Sequence, residues 1–258
     1  MTNWLWQAYV EWMLGFLRAG ALMAVFPVLS SRVIPVRIRL ALGGLLAFLV
    51  MPWIDAPLVS ELDDFGYVTI VVREVFCGLA MGFISRLVFY SVQLAGSVIA
   101  FQMGLQMSSA VDPNTDATTE TPGLILYYLA AMIFFSLDLH HVVIAGYIRS
   151  YEVVPLGAAT MAPGLPDFLV ARTSYLFVAA VQMAAPLIAV SFLLTYVFAL
   201  LGRAVPQMNV FSESFSARLI TGLFVFGITL QLSAQHIISY GRRVSGDLAT
   251  IINLLKTA

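Results

Sequence analysis

YVTIVVREVFCGLAMGFISRLVFYSVQLAGSVIAFQMGL, Tyr67 to Leu105, is an apolar stretch of 39 residues whose only charges are Arg73, Glu74 and Arg86. A helix needs roughly 20 residues to cross the hydrocarbon of a bilayer. The stretch therefore reads in one of two ways: a hairpin with a turn concealed near Ser85 and Arg86, or one very long helix that leaves the bilayer. It runs directly into QMSSAVDPNTDATTETP, Gln106 to Pro122, which has three acids, four threonines, two prolines and no basic residue. Backbone that escapes regular structure finds no hydrogen-bond partner among lipid tails, so this insert must face water, a pore or other protein.

The remainder of the chain fits an all-α, polytopic membrane-type protein built of helical hairpins. Of its 258 residues 60% are hydrophobic and 10% charged, with a mean hydropathy of +0.93, so function has to reside in the membrane-type helices and their connections. Residues 1–258 are read as a single helical unit, with no room for a separate soluble domain. Membrane lipid is an expected partner and nucleic acid is not. The one cysteine, Cys77, excludes an internal disulfide and reads as a small packing residue. The start, MTNWLWQAYVEWM, has no basic leader region and no small-residue cleavage site, which predicts a retained first helix.

Along the chain, a basic connection containing Arg32, Arg37 and Arg39 and an acidic one containing Asp55, Glu61, Asp63 and Asp64 flank a short uncharged segment, Leu40 to Ile54. Opposite charge predicts opposite sides of the membrane. After the insert come Gly123 to Tyr151, a Pro- and Gly-punctuated connection Pro155 to Asp167, and an uncharged run Ser174 to Gly202. A polar connection at 203–216, a last helix Ala217 to Tyr240 and an amphipathic tail at 242–258 complete the chain. Neither six nor seven spans distributes the arginines consistently, which implies that some helices are not conventional spans.

Small residues mark close helix approaches. Gly78 and Gly82 form a GxxxG pair, and Gly96, Ala100 and Gly104 recur at every fourth position up to the insert. Such ladders serve contacts within a chain and between subunits equally, and the one pointing into the insert is the better candidate for a partner. Arg73 and Glu74 are neighbours on a helix, about 100 degrees apart, and are not expected to pair with each other by adjacency alone. Asp138 and His141 lie three apart with His140 beside them; two ligands on one face do not complete a zinc site, so a structural polar cluster is expected there, with no metal. There is no GxxxxGK[ST], HExxH or GxSxG pattern, hence no expected catalytic residue or cofactor. In the polar connection, Gln207 and Asn209 are expected to bond neighbouring backbone, the alternative being a plain turn capped by Ser212 or Ser214.

Several segments, taken in order, resemble one family. They are Arg18 with Pro27; Pro35 with Arg37 and Arg39; Glu74 with Gly78 and Gly82; AGSVIAFQMGLQMSSAVDP (95–113); HHVVIAGYIRSYEVVPLG (140–157); Pro186; and GRAVPQMNVF (202–211). Together they resemble the FliR family of flagellar export-gate proteins, whose counterpart in virulence injectisomes is the T component of type III secretion. The resemblance spans nearly the whole chain and departs at Asp138-Leu139, where an Asn-Gly type of turn is expected.

The resemblance implies a non-enzymatic subunit of the bacterial inner membrane, in the flagellar basal body. Joined with FliP and FliQ in a spiral, pore-forming gate, it would pass unfolded flagellar subunits, with FlhB at the entrance and FlhA coupling the proton motive force. It further implies a plug loop across the closed pore, corresponding to 106–122, where the residues alone equally allow a plain solvated loop; Met103, Gln106, Met107, Ser108, Ser109, Val111, Asp112 and Pro113 are the gate candidates, with Met103, Met107 and Val111 as the soft, water-excluding part. Asp112-Pro113 disfavours helix at Asp112, and the threonines favour turns. Gly78, Gly82, Gly96, Ala100, Gly104, Gln207 and Asn209 are the interface candidates. The competing reading is a secondary transporter with a midplane polar site at Asp138, His140 and Arg86; a third is an assembly scaffold without a conduit role.

Overall fold

Asp64–Gln102 is one helix, so the ambiguous stretch contains no hidden hairpin. Its internal polar groups are satisfied without a turn: the Ser85 hydroxyl donates to the Met81 carbonyl at 3.0 Å and the Ser91 hydroxyl to the Val88 carbonyl at 2.7 Å. At 1.5 Å per residue the helix is about 58 Å long, well beyond the roughly 30 Å hydrocarbon of a bilayer.

The computed structural model describes residues 2–27, 34–53, 64–105, 121–207 and 209–256. Among these, the secondary structure is helical: α1 Thr2–Val25, α2 Val36–Val50 with a short 3-10 turn Met51–Trp53, α3 Asp64–Gln102, α4 Thr121–Ser136, α5 Leu139–Val153, α6 Gly164–Ala204 and α7 Val210–Leu254. Four helices contain segments long and apolar enough to span a membrane: Ala8–Val25, Phe65–Gln102, Gly164–Ala204 and Ser212–Leu254. The pair α4 and α5 passes the same test together but is bent by 63°. The bend falls at Asp138, whose φ of +53° is left-handed, so an aspartate adopts the conformation for which an Asn-Gly turn was expected. Gly241 sits inside α7, which continues unbroken through the predicted tail. The polar connection is correspondingly reduced to the few residues between Ala204 and Val210.

The chain divides into two compact units. The first comprises Met1–Leu87, Phe135–Thr173 and Gly241–Ala258. Leu14, Leu22, Met81, Ile84, Tyr147 and Ile251 are buried in it, as is Cys77 in its packing role. Its helices approach closely through glycine: a Cβ on Gly78 would lie 2.2 Å from the Arg18 carbonyl oxygen, and one on Gly82 3.0 Å from Val25 Cβ. The 158–162 loop closes the end of α7, with the Thr160 amide donating to the Leu255 carbonyl and the Ala162 amide to the Leu254 carbonyl. Arg172 and Asp247 add an ion pair at 2.8 Å.

The second unit comprises Val88–Phe134 and Ser174–Tyr240. Phe89 is its aromatic centre, edge-on to Tyr127 at 5.4 Å and to Phe134 at 5.6 Å. Ile99, Ala100, Met103, Leu126 and Ala130 are buried in the same unit. α3 and α4 meet backbone to backbone, since a Cβ on Gly96 would fall 2.1 Å from Gly123 Cα. No other residue fits there without separating the helices.

Candidate functional site

The polar insert is framed by two well-defined ends in the second unit. α3 stops in a Schellman motif: the Leu105 amide donates to the Ala100 carbonyl at 3.0 Å and the Gly104 amide to the Phe101 carbonyl at 3.0 Å, with Gly104 left-handed at φ +77°. The third member of the small-residue ladder is thus the helix terminator, and the Phe215 ring lies over it, 3.2 Å from where a Cβ would stand. On the far side α4 opens with Pro122 and Gly123 in its first turn, both buried, where a missing amide donor costs nothing.

The residue before the cap is fixed as firmly. Met103 is fully buried and its Cγ lies 2.7 Å from the Cβ position of Gly222 on α7, a contact only glycine allows. Beside it the Ser191 hydroxyl of α6 donates to Gln102 Oε1 at 2.7 Å. Arg218 of α7 donates through Nη2 to Thr195 Oγ1 at 3.0 Å. Gln102, Met103, Ser191, Arg218 and Gly222 line a small cavity of about 10 Å³, the room one water molecule occupies. The root of the insert is therefore tied to both long helices of its unit. Gln106, Met107, Ser108, Ser109, Val111, Asp112 and Pro113 lie outside the described residues.

In the first unit the charged residues of the apolar helices converge. Arg18 of α1 and Glu74 of α3 are both fully buried. Arg18 uses all five of its N–H groups. Nε donates to Glu74 Oε2 at 2.6 Å and Nη2 to Glu74 Oε1 at 2.9 Å; Nη1 reaches the Ser150 hydroxyl at 3.0 Å, and both Nη atoms reach the Val154 carbonyl at 3.3 Å. The guanidinium also stacks 4.0 Å above the Tyr151 ring. Glu74 Oε1 accepts a further bond from the Gly157 amide at 2.8 Å, while the neighbouring Arg73 turns away and donates to the Gly157 carbonyl at 3.0 Å. One buried knot thus joins α1, α3, α5 and the loop that follows α5. A fully buried, fully bonded pair of this kind has no free group with which to perform chemistry, and its role is to hold the three helices in register.

The other predicted residues are placed as follows. Gly78 and Gly82 meet α1, Gly96 meets Gly123 and Gly104 meets Phe215, so each glycine has a same-chain neighbour that explains its small size, while Ala100 is buried and its carbonyl accepts the terminal bond of α3. Asn209 is the cap of α7: its Oδ1 accepts from the Ser212 amide at 3.3 Å, a place the sequence also allowed for Ser212 or Ser214. Gln207 is exposed. Asp138, His140 and His141 gather at the α4–α5 turn. Gln102 and Ser191 were missed by the sequence reading; an isolated polar residue inside an apolar run was the signal available for both.

The description "Bacterial export proteins, family 1" matches residues 9–243. The chain belongs to that family. Among curated relatives of this export family, the flagellar biosynthetic protein FliR of Bacillus subtilis is 30% identical over 79% of both chains. The FliR protein of Caulobacter vibrioides is 30% identical over 87% of this chain and 89% of its own. The Yop proteins translocation protein T of Yersinia pestis is 30% identical over 75% of this chain and 76% of its own. Membership makes the protein a membrane component of type III export, consistent with four apolar helices long enough to span. The matched region takes in the Arg18–Glu74 knot and both ends of the insert.

Proposed function

We propose that this protein is a core subunit of the flagellar type III export gate, forming with FliP and FliQ the inner-membrane conduit for unfolded flagellar subunits. The observation that carries this reading is the exposed apolar length of the two last helices. From Ser174 to Gly202, α6 is uncharged for about 44 Å at 1.5 Å per residue. Bringing that length within a hydrocarbon layer of roughly 30 Å demands a tilt near 47°, beyond the usual range of about 0–40°. Its span is only 17% buried and that of α7 only 11%, with Phe177, Phe192, Tyr196, Ile220, Phe224 and Ile228 all exposed. Lipid covers part of such a surface, and other subunits must cover the remainder.

The flagellar assignment is favoured over the injectisome one by coverage: the Escherichia coli FliR relative aligns over 98% of this chain and 97% of its own length, against 75% and 76% for the Yersinia pestis protein. In this reading FlhB sits at the conduit's entrance, FlhA supplies coupling to the proton motive force, and the 106–122 loop helps close the pore. Gln207, exposed beside the α7 cap, faces partner subunits. The transporter alternative is less well supported. Its Asp138 side chain is 72% exposed at a helix turn, and the small cavity beside Gln102 and Met103 is not lined by Asp138, His140 or Arg86.

The test is purification of the affinity-tagged chain from native membranes with identification of what accompanies it. The expected result is a complex with several copies of small helical membrane proteins, and no transport by the chain reconstituted alone. Purification as a single species that moves a solute across liposomes would overturn the proposal.

A further inference from the structure

The sequence offers two metal-ligand types on one face of a helix; the turn at Asp138 supplies a third. With Asp138 left-handed, its carboxylate folds back over the first turn of α5, and Oδ1 lies 3.3 Å from His141 Nδ1. The His140 ring lies tilted against that of His141 with centroids 4.0 Å apart, and Phe135 backs it at 5.1 Å. One ligand atom from each of Asp138, His140 and His141 falls within 4.8 Å of the others. His140 Nδ1 is buried and has no hydrogen-bond partner among the described residues. An imidazole nitrogen withdrawn from water and left unbonded is costly, and a bound ion would satisfy it.

We propose that Asp138, His140 and His141 bind a divalent first-row transition ion, Zn²⁺ by preference, which clips the α4–α5 turn. Two imidazoles and one carboxylate form a borderline nitrogen and oxygen donor set, suited to zinc or cobalt and poorly to magnesium or calcium. The spacing agrees. Tetrahedral ligands with bonds of about 2.0–2.1 Å stand about 3.3–3.4 Å apart, which the Asp138–His141 pair already meets. The wider gap to His140 closes by side-chain rotation around the ion. An ion on His141 Nδ1 takes the place of the proton in the contact with Asp138 Oδ1; a neutral imidazole then carries its one proton on Nε2, and only an imidazolium gives one up to solvent. The Asp138 and His141 side chains are 72% and 70% exposed, so water completes the coordination and the affinity is micromolar, below that of a closed four-ligand site. The site stands independently of the export reading, because it rests on one turn of this chain.

The experiment uses the full chain in detergent, purified on a streptavidin-binding tag in place of polyhistidine and stripped with EDTA. Calorimetric titration with Zn²⁺ is expected to show one saturable equivalent, and Co²⁺ a visible ligand-field spectrum that Zn²⁺ abolishes. His141→Ala and Asp138→Asn each weaken binding by about tenfold or more, while His236→Ala, at the histidine outside the turn, leaves it unchanged. Zn²⁺ raises the thermal midpoint of the wild type and not of the turn variants. Absence of saturable uptake by the wild type overturns the proposal without recourse to any variant. Equal affinity in wild type and in turn variants that elute as the wild type does would also overturn it.

Discussion

Removing either partner of the Arg18–Glu74 pair should cost far more than removing both. Arg18→Met leaves the Glu74 carboxylate buried with the Gly157 amide as its remaining bond. Glu74→Leu leaves a buried guanidinium that keeps three of its five bonds, those to Ser150 and Val154. Each single change strands a charge away from water, at a cost of about 3–5 kcal/mol, or more than about a hundredfold in the folding equilibrium. The double variant Arg18→Met/Glu74→Leu removes both charges and fills the space with apolar volume. Replacements of that kind are often neutral or stabilising, so the double variant should lie within about 2 kcal/mol of wild type. Strict additivity would instead put it at about 6–10 kcal/mol. The assay is reversible unfolding of the detergent-solubilised chain in mixed micelles, analysed as a double-mutant cycle. Near-additive costs, or a single-variant cost below about 1 kcal/mol, would refute the reasoning, because the pair would then not act as one desolvated unit.

The glycine contacts make a paired prediction. Gly78→Ala drives a Cβ to 2.2 Å from the Arg18 carbonyl and should destabilise by about 1–3 kcal/mol or more, whereas Gly227→Ala meets nothing within 4 Å and should gain up to about 1 kcal/mol in helix propensity. Thermal midpoints of the two variants moving in the same direction would contradict the packing. For the insert, deletion of residues 108–118 should raise ion leak across the inner membrane and slow growth when the gate is assembled; unchanged tightness would remove the plug from the proposed function.

The sequence was legible wherever one residue sufficed to set the local physics. Apolar length gave the helices, and the 100-degree step between Arg73 and Glu74 leaves the two side chains unpaired with each other, Glu74 bonded to Arg18 and to the Gly157 amide and Arg73 to the Gly157 carbonyl. It was less legible where two distant segments decide together. The ladder at Gly96, Ala100 and Gly104 announces close approach, but small residues look alike whether they admit another chain, a neighbouring helix or, at Gly104, a left-handed cap. The continuity of α7 past Tyr240 was hidden for a related reason. Gly241 and the two arginines after it read as a boundary, yet that glycine is an interior helix residue, and a Cβ on it would lie 2.9 Å from Leu139 Cδ1. Helical spacing makes the Asp138–His141 pair legible, whereas the left-handed φ at Asp138 is set by the turn between two helices and is not.

The geometry of the root bears on how the proposed plug would work. Between Leu105 and Thr121 the chain makes 16 steps, so a loop held at both ends extends at most about 26–29 Å from its base. That exceeds the roughly 10–12 Å diameter of a helix with its side chains, so this length is enough to obstruct a conduit for a single unfolded chain. The base itself cannot follow a passing substrate. Gly104 is locked in a helix cap, Met103 is seated on Gly222, and Gln102 is bonded to Ser191, while α4 begins backbone to backbone against α3. Opening by displacement of the helices would have to break these contacts together, whereas opening by displacement of the insert leaves them intact. In the proposed gate a stopper on a fixed root would return to its place once the substrate has passed, and its closing would be set by the loop's own contacts. Substitutions within 106–120 should therefore alter leak and export without altering the stability of the second unit, and substitutions at Gly96, Met103 or Gly222 should do the reverse.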